Sequence, residues 1–359
     1  MPLSRAQIEA KVAKLMVFGF DGTKVNSHAK RLIDKGFGGA ILFKRNVKDP
    51  KQVAGLCADL KREAKAPFLI AIDQEGGRVA RLGPPFSVIP SARSLGSAAD
   101  PEGAAQAAGR VLGRELRDVH IDMDLAPVVD VDTNPLNPVI ADRSFSRDAA
   151  VVGRMGVAMV GGIQGQGVAA CVKHWPGHGD TDVDSHLNLP VIRHSLKRLQ
   201  EVEMPPFKDV VNAGVAAVMV AHVATAALDS GAGDDKGLPA TMSKGAIAYL
   251  RKELGFDGVV VTDDMEMGAI VKNYSLAGAM LAGIKAGVDL FLVCHSEDQQ
   301  LAGFNAICDA VQSGEVPEGR LLEAERHVDE LRRKYVRAPA GGKVRLQIIG
   351  SQENRDLIT

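Results

Sequence analysis

Short apolar runs alternate with segments of helical periodicity along almost the whole chain. The runs are mostly apolar in the middle, as in strands that are covered on both faces. They predict eight strands, at residues 15–20, 39–43, 68–73, 123–131, 168–173, 217–222, 259–263 and 291–295. Helical spacing predicts helices between most of them, at residues 50–65, 103–119, 149–164, 196–213, 243–254 and 276–286.

Eight strand–helix units in one chain of 359 residues favour a single (β/α)₈ barrel of the TIM type. A doubly wound open sheet is the alternative, but no Gly-x-Gly-x-x-Gly motif opens a helix after the first strand. We expect the barrel domain to span residues 1–337 and residues 338–359 to form a C-terminal tail. The tail holds one strand-like run at residues 345–349 and is too small for its own core. It is expected to pack on the barrel, cross to a partner, or be disordered.

Polar side chains collect where the predicted strands end. In chain order they are Asp73 and Glu75, Asp130 and Asp132, Lys173 and His174, His222, Asp263 and Asp264, and His295. The carboxyl ends of barrel strands converge on one face, so we expect a single site there. For any one of these residues, and for Asp132 and Asp264 in particular, a helix cap or loop hydrogen bond is the alternative.

The densest group of titratable residues lies in the stretch 167–190. Beyond the fifth strand it contains three histidines and three aspartates: His174, His178, His186, Asp180, Asp182 and Asp184. Pro176, Gly177 and Gly179 disfavour a helix and predict a loop. Because so many ionisable groups would be costly to desolvate, we interpret the stretch as an active site. A solvated, histidine-rich turn is the alternative.

The chemistry that these residues favour is attack by a carboxylate on a sugar. Asp263 follows an apolar strand and would direct its carboxylate into the barrel mouth, where it could form a covalent glycosyl intermediate. Asp184 and His186 are spaced so that both side chains share one side of an extended backbone, and the aspartate could orient an imidazole that transfers the proton. A hydrogen bond that only staples the loop remains open for this pair.

A polar clamp for a polyhydroxyl ligand is also predicted. Asp73 and Lys173 can hydrogen-bond vicinal hydroxyls, and Arg81 and Arg143 offer fixed forks of donors. By default, each arginine would instead be a surface ion-pair residue.

Composition narrows the class of protein. A net charge of −1 gives no basic field for nucleic acid or an anionic membrane, and no apolar run is long enough to span a bilayer. The first twenty residues do not read as a signal peptide, so a cytoplasmic location is expected. The four scattered cysteines are expected to be buried reduced thiols, neither a disulfide framework nor a zinc site.

Five motifs, in order, resemble family 3 glycoside hydrolases, specifically the NagZ-type β-N-acetylglucosaminidases. The longest is KHWPGHG at 173–179 followed by DSH at 184–186; the others are ILFKRN at 41–46, AIDQEGGRVAR at 71–81, DRSF at 142–145 and TDDMEM at 262–267. The resemblance covers residues 10–335. Thr262 and Met265 stand where the family often has Ser and Leu, which are conservative differences.

The resemblance implies a retaining mechanism without a metal or other cofactor. It implies that Asp263 is the nucleophile, His186 the acid/base and Asp184 its partner. It also implies that the sugar-binding residues are Asp73, Arg81, Arg143, Lys173 and His174. The implied substrate is GlcNAc–1,6-anhydro-MurNAc, with or without stem peptide, in peptidoglycan recycling, whose product signals β-lactamase induction in some bacteria. A monomer with no nucleic-acid or membrane partner is expected.

Three other functions remain open. A metal-dependent hydrolase could use histidines and aspartates of the 167–190 stretch as ligands. A non-catalytic sugar-binding or sensor protein could use the same clamp. A phosphorylase could use the same site, because a histidine acid/base would not repel an attacking phosphate.

Overall fold

The computed structural model describes residues 2–182, 184–185, 187–229, 237–338 and 345–358. Its centre is a closed barrel of eight parallel strands, each paired with its two sequence neighbours and the first with the last. The strands are β1 (Met16–Phe18), β2 (Gly39–Leu42), β3 (Leu69–Ile72), β4 (Met123–Asp124), β5 (Ala169–Trp175), β6 (Ala217–Val220), β7 (Val259–Asp264) and β8 (Leu290–Val293). The predicted (β/α)₈ barrel is therefore confirmed.

Helices surround the barrel. They are α1 (Arg5–Lys14), α2 (Ser27–Asp34), α3 (Pro50–Glu63), α4 (Ala92–Gly96), α5 (Pro101–Asp118), α6 (Ala149–Gln164), α7 (Leu196–Arg198), α8 (Pro205–Asn212), α9 (Lys244–Lys252), α10 (Gly268–Val271), α11 (Leu276–Ala286), α12 (Glu297–Gln312), α13 (Glu318–Tyr335) and α14 (Gln352–Ile358). The core lies inside the barrel and between strands and helices, and every residue of β5 is buried. Apolar runs without alternation were the correct signal for strands covered on both faces.

Prolines explain two differences from the predicted elements. The fourth strand ends at Asp124, and beyond Pro127 its pairing with β5 returns only as an isolated bridge between Val128 and Lys173, so no continuous strand reaches residue 131. Pro127 itself has no N–H to donate to the ladder. The predicted helix at 196–213 is divided into α7, a π-helical turn at Leu199–Glu203 and α8, which starts at Pro205. A proline at the first position of a helix is tolerated, but one inside a helix removes a hydrogen bond.

The C-terminal residues 345–358 pack on α5, and the strand-like run predicted at 345–349 is not a strand. Backbone hydrogen bonds from Ile348 to the carbonyl of Arg345, and from Ile349 to that of Leu346, fold it into turns. The helix α14 follows, and Ile349 is buried in the main core. The boundary between residues 337 and 338 stays a prediction.

Two further sequence expectations concern cysteines and membranes. All four cysteines are free and buried. Within the described ranges, none of the helices combines the length and the apolar character that crossing a bilayer requires.

Candidate active site

The predicted site residues gather in one pocket at the carboxyl ends of the barrel strands. The pocket has a volume of about 240 Å³. Its walls include Asp73, Arg81, Arg143, Lys173, His174, Asp184 and Asp263. The remaining predicted residue, His186, lies outside the described residues. Side chains from four different strand–loop segments, those of β3, β4, β5 and β7, therefore meet where the sequence predicted a single site.

A short hairpin after β3 supplies one wall of the pocket. Its two strands, Gln74–Gly76 and Val79–Ala80, are joined through Gly77, which like Gly76 has a positive φ that an L side chain rarely adopts. The Gln74 side chain accepts hydrogen bonds from the backbone N–H of Arg81, at 2.8 Å, and of Leu82, at 3.0 Å. This local geometry directs Asp73, Glu75 and Arg81 toward the pocket.

A chain of ion pairs crosses the floor of the pocket. Lys173 Nζ lies 2.7 Å from an Asp73 oxygen and 2.6 Å from a Glu75 oxygen. Arg143 donates to Glu75 through Nε at 2.9 Å and through Nη2 at 2.8 Å, which is a bidentate pair. Burial works against ionising Glu75, but the charges of Arg143 and Lys173 outweigh it and lower its pKa. Conversely, burial disfavours the Lys173 cation, but Asp73 and Glu75 outweigh it and raise its pKa.

Arg81 and Arg143 form their ion pairs inside the pocket, so the alternative of ordinary surface ion pairs does not describe them. Arg81 Nη2 donates to Asp73 at 3.0 Å, and its guanidinium lies 5.6 Å from the centre of the Phe43 ring. The side chain of Arg143 is only 11% exposed. Both guanidinium groups face carboxylates within the pocket, so their donors are held in fixed directions.

A buried aspartate orients His174. Asp130 Oδ2 accepts a hydrogen bond from His174 Nδ1 at 2.7 Å, and Asp130 Oδ1 accepts one from the backbone N–H of His178 at 2.7 Å. Burial opposes ionisation of Asp130, but the two histidines outweigh it and lower its pKa. With Nδ1 directed at Asp130, Nε2 of His174 faces Arg143 Nη2, 3.4 Å away.

His178 anchors the loop that leads to Asp184. Its Nδ1 lies 2.6 Å from the hydroxyl of Thr181, and its Nε2 lies 3.1 Å from the hydroxyl of Ser185. Burial, assisted by the charge of His174, lowers the pKa of His178 to about 4, so the ring is neutral near pH 7. The carbonyl of Ser185 also accepts the N–H of Ala269 in α10 at 3.0 Å. The loop segment around Asp184 is thus attached to the barrel on both sides.

Two of the residues considered as metal ligands, His178 and Asp180, contact other side chains in the structure. Both ring nitrogens of His178 are already in hydrogen bonds, and Asp180 is in an ion pair with His194. In the part of the chain that the structure describes, no three His, Cys, Asp or Glu residues are grouped as a metal site requires.

Asp263 lies at the end of β7 and faces the pocket. Its Oδ1 accepts the backbone N–H of Asp264 at 2.8 Å. Burial works against its ionisation, but the surrounding His174, His222 and Lys173 outweigh it and lower its pKa. The carboxylate is therefore ionised at neutral pH, as a nucleophile must be.

Four strand-end residues have structural roles outside the pocket. Asp264 Oδ1 accepts the N–H of Glu266 at 3.1 Å, and its other oxygen pairs with half-exposed His295 at 3.2 Å. His222 is bound on both nitrogens, by the Thr241 hydroxyl at 2.8 Å and the Asp264 carbonyl at 2.9 Å. Asp132 pairs with Arg93 at 2.6 Å. Asp264 thus makes a loop hydrogen bond, as its alternative had it, whereas Asp132 forms an ion pair with Arg93.

Sequence reasoning did not assign site roles to several residues that organise the pocket. They are Glu75, Arg78, Asp130, His178 and Ser185. The signal was available for four of them, because Glu75 and Asp130 stand at predicted strand ends and His178 and Ser185 lie in the stretch 167–190. Their pairing could not be read from the chain, since Glu75 bonds an arginine 68 residues away.

Comparison with known proteins identifies the family. Residues 7–331 match the model described as "Glycosyl hydrolase family 3 N terminal domain". The chain belongs to glycosyl hydrolase family 3. The enzyme class that the sequence predicted, a glycoside hydrolase, is confirmed.

The similar proteins carry consistent names. The chain is 40% identical over 272 residues to a β-hexosaminidase of Thiobacillus denitrificans, covering 74% of each protein. It is 33% identical to β-hexosaminidase A of Pseudoalteromonas piscicida, covering 89% of this chain and 57% of that relative. A solved family 3 β-N-acetylglucosaminidase from Paenibacillus sp. FPU-7 superposes with a TM-score of 0.92 at 41% identity, covering 98% of this chain and 67% of that one.

Proposed function

We propose that this protein is a retaining exo-β-N-acetylglucosaminidase that releases GlcNAc from GlcNAc–1,6-anhydro-MurNAc, with or without stem peptide. The observation that carries the proposal is that an ionised Asp263 shares one pocket with Asp73, Arg143 and Lys173. A nucleophile and a set of hydroxyl-binding groups are thus within reach of one sugar. The names of the relatives, β-hexosaminidase and β-N-acetylglucosaminidase, support the choice of sugar.

In the proposed mechanism, Asp263 attacks the anomeric carbon while the acid/base protonates the departing glycosidic oxygen. This produces a covalent glycosyl–aspartate. A water molecule then attacks the anomeric carbon, while the same acid/base removes a proton from that water, and the bond to Asp263 breaks. The configuration is retained because two inversions occur in sequence. The acid/base role of His186 rests on the resemblance, with Asp184 as the residue that orients its ring.

The sugar hydroxyls would bind to the chain of ion pairs on the pocket floor. Asp73 and Glu75 offer acceptors, and Lys173, Arg81 and Arg143 offer donors, within a small region. A pair of vicinal hydroxyls can donate to a carboxylate and accept from a neighbouring cation at once, through charge-assisted hydrogen bonds. His174 completes this set through Nε2, whose direction Asp130 holds.

The charge of the pocket favours water over phosphate as the acceptor. The described lining has four cationic side chains, Arg78, Arg81, Arg143 and Lys173, and four anionic ones, Asp73, Glu75, Asp184 and Asp263. A phosphate dianion gains little attraction in a region without excess positive charge. We therefore propose hydrolysis, with phosphorolysis as the alternative outcome in the assay below.

The biological part of the proposal is action in the cytoplasm during peptidoglycan recycling. It follows from the resemblance to NagZ-type enzymes and includes an influence on β-lactamase induction. A deletion strain should accumulate GlcNAc–1,6-anhydro-MurNAc in its cytoplasmic extract. Unchanged muropeptide levels would contradict this role without affecting the enzymatic one.

The enzymatic proposal is tested with a chromogenic β-GlcNAc glycoside, with the β-glucoside as control. The N-acetyl sugar should be preferred, and Asp263→Ala should lower kcat by at least roughly 10³-fold while much of the affinity for GlcNAc remains. Proton NMR should show β-GlcNAc as the first product, and no sugar-1-phosphate should form in phosphate buffer. Full turnover by Asp263→Ala would overturn the mechanism, and binding without turnover by the unchanged protein would favour a sugar sensor.

A further inference from the structure

The final described part of the C-terminal tail, residues 345–358, contacts a loop beside the proposed sugar-binding hairpin, and 'the tail' below means these residues. The tail lies beyond the residues that match the family model. Its helix α14 packs against α5, and an exposed ion pair between Glu353 and Arg114, at 2.6 Å, borders this contact. The tail backbone also touches the loop 82–91, because a Cβ on Gly350 would lie only 1.9 Å from the carbonyl oxygen of Pro85.

The carboxylate of Glu115 joins the tail to this loop. Glu115 belongs to α5 and is 5% exposed. Its Oε2 accepts the backbone N–H of Ser87 at 2.9 Å, and its Oε1 accepts the Ser87 hydroxyl at 2.7 Å. Oε1 also accepts the backbone N–H of Gly350 at 2.8 Å and the side-chain amide of Asn354 at 3.0 Å. We call these four residues the Glu115 cluster.

The hydrogen bonds of the Glu115 cluster couple the tail and the loop 82–91 energetically. All four donors are uncharged, so the buried carboxylate depends on the full set of hydrogen bonds. If the tail leaves this position, the Glu115 carboxylate loses the hydrogen bonds from Gly350 and Asn354. A buried carboxylate with too few hydrogen-bond donors is unfavourable. The carboxylate would then turn toward water and release Ser87 as well. Docking of the tail and ordering of the loop 82–91 are therefore expected to occur together.

The loop 82–91 in turn packs against the hairpin that carries the sugar-binding residues. The carbonyl of Ile89 accepts the N–H of Gly77 at 2.9 Å. A Cβ on Gly76 would lie 2.7 Å from the carbonyl oxygen of Pro90, so the two backbones are in direct contact. At its other end, Leu82 donates its N–H to the Gln74 side chain at 3.0 Å. The loop 82–91 therefore packs directly against the hairpin and supports its position.

We propose that the tail positions the substrate-binding hairpin through the Glu115 cluster. Glu115, Ser87 and Asn354 are positioning residues, since none of them lines the pocket and they act through Asp73, Glu75 and Arg81. The effect on substrate affinity rests on the function proposed above, whereas the effect on loop order does not. Loss of the tail contact should therefore weaken substrate binding more than it slows the chemical step.

The test compares Asn354→Ala with Glu353→Ala in the full chain. Asn354→Ala removes a donor to Glu115, while Glu353→Ala removes the neighbouring surface ion pair of the same helix. With the chromogenic β-GlcNAc glycoside, Asn354→Ala should raise KM by about three- to tenfold with kcat within about twofold. Glu353→Ala should leave both constants within about twofold. Amide hydrogen exchange without ligand should become faster at residues 76–91 in Asn354→Ala alone.

A lower melting temperature with unchanged KM and unchanged exchange at 76–91 would overturn the proposal, because the tail would then only stabilise the barrel. If Asn354→Ala does not fold, Ser87→Ala replaces it, since that change keeps the backbone donor and removes only the hydroxyl. It should give the same pattern, and an unchanged pattern would equally overturn the proposal. If the unchanged enzyme does not cleave the glycoside, the proposed function fails, while the exchange measurement still decides the role of the tail.

Discussion

Replacement of Glu75 by Gln tests whether the buried ion pairs on the pocket floor determine both stability and binding. Glu75 has a 6% exposed side chain and makes two hydrogen bonds to Arg143 and one contact of 2.6 Å to Lys173. In Glu75→Gln, one side-chain oxygen remains a hydrogen-bond acceptor, whereas an NH2 group replaces the other and directs its hydrogens at Arg143 or Lys173. The loss of about two charge-assisted contacts should lower the free energy of unfolding by about 3 kcal/mol at pH 7.

The effect of this variant should depend on pH with a defined sign. The pKa of Glu75 is lower in the folded protein than in the unfolded chain. Its ionisation therefore stabilises the fold above the unfolded pKa of about 4.3, and this contribution is lost as the pH falls toward the folded value. The difference between unchanged enzyme and variant should shrink below about pH 4, by up to about 1.4 kcal/mol per pH unit.

Urea denaturation followed by tryptophan fluorescence measures both quantities. The single tryptophan, Trp175, is completely buried, so its emission reports loss of the core around β5. Glu102→Gln is the matched control, because Glu102 pairs with Arg154 at 2.7 Å while its side chain is 55% exposed. The control should change stability by less than about 0.5 kcal/mol. A difference for Glu75→Gln that stays constant between pH 6 and pH 3.5 would refute the reasoning.

Three other predictions concern the loop after β5. Gly179→Ala should destabilise the protein by at least about 2 kcal/mol, because its Cβ would lie 1.7 Å from the Val131 carbonyl oxygen; Gly161→Ala in α6 meets nothing within 4 Å and should be neutral or stabilising in the same urea assay. Asp184→Asn should fold normally but lower kcat and shift the pH–rate profile, and an unchanged profile would argue against its orienting role. His186→Ala should slow hydrolysis most for poor leaving groups, and equal slowing of good and poor ones would argue against acid catalysis.

The fold was predictable because its signals are local. A parallel barrel covered by helices requires strands that are apolar on both faces. The strands β1, β2, β3, β6 and β8 have that composition throughout, and β5 and β7 have it in their first halves. The predicted end of β4 was wrong, because apolar character continues to Val131, whereas regular pairing ends at Asp124 and only an isolated bridge at Val128 follows Pro127, which has no N–H. Composition alone reports burial, whereas the ladder depends on which N–H groups are present.

The site was predictable only to the level of which strand ends carry polar groups. The carboxyl ends of all the strands reach one face, so Asp73, Lys173 and Asp263 could be expected together. Whether a given side chain turns into the pocket depends on contacts between distant segments. His222 and Asp264 bond each other and stay out of the pocket, whereas Glu75 enters it through its bond to Arg143. Pairings of this kind are set by three-dimensional packing.

The pairing of charges also bears on which carboxylate acts as the nucleophile. Asp73 and Glu75 line the same pocket as Asp263, but each is in ion pairs with both Lys173 and an arginine. Attack by either would neutralise a charge on which those cations depend, and would leave them buried without compensation. Asp263 is held through Oδ1 by a backbone N–H, and cations at longer range keep it ionised. Forming a covalent bond through Asp263 would therefore disturb the clamp least, which supports the proposal that Asp263 is the nucleophile and that Asp73 and Glu75 only bind the sugar.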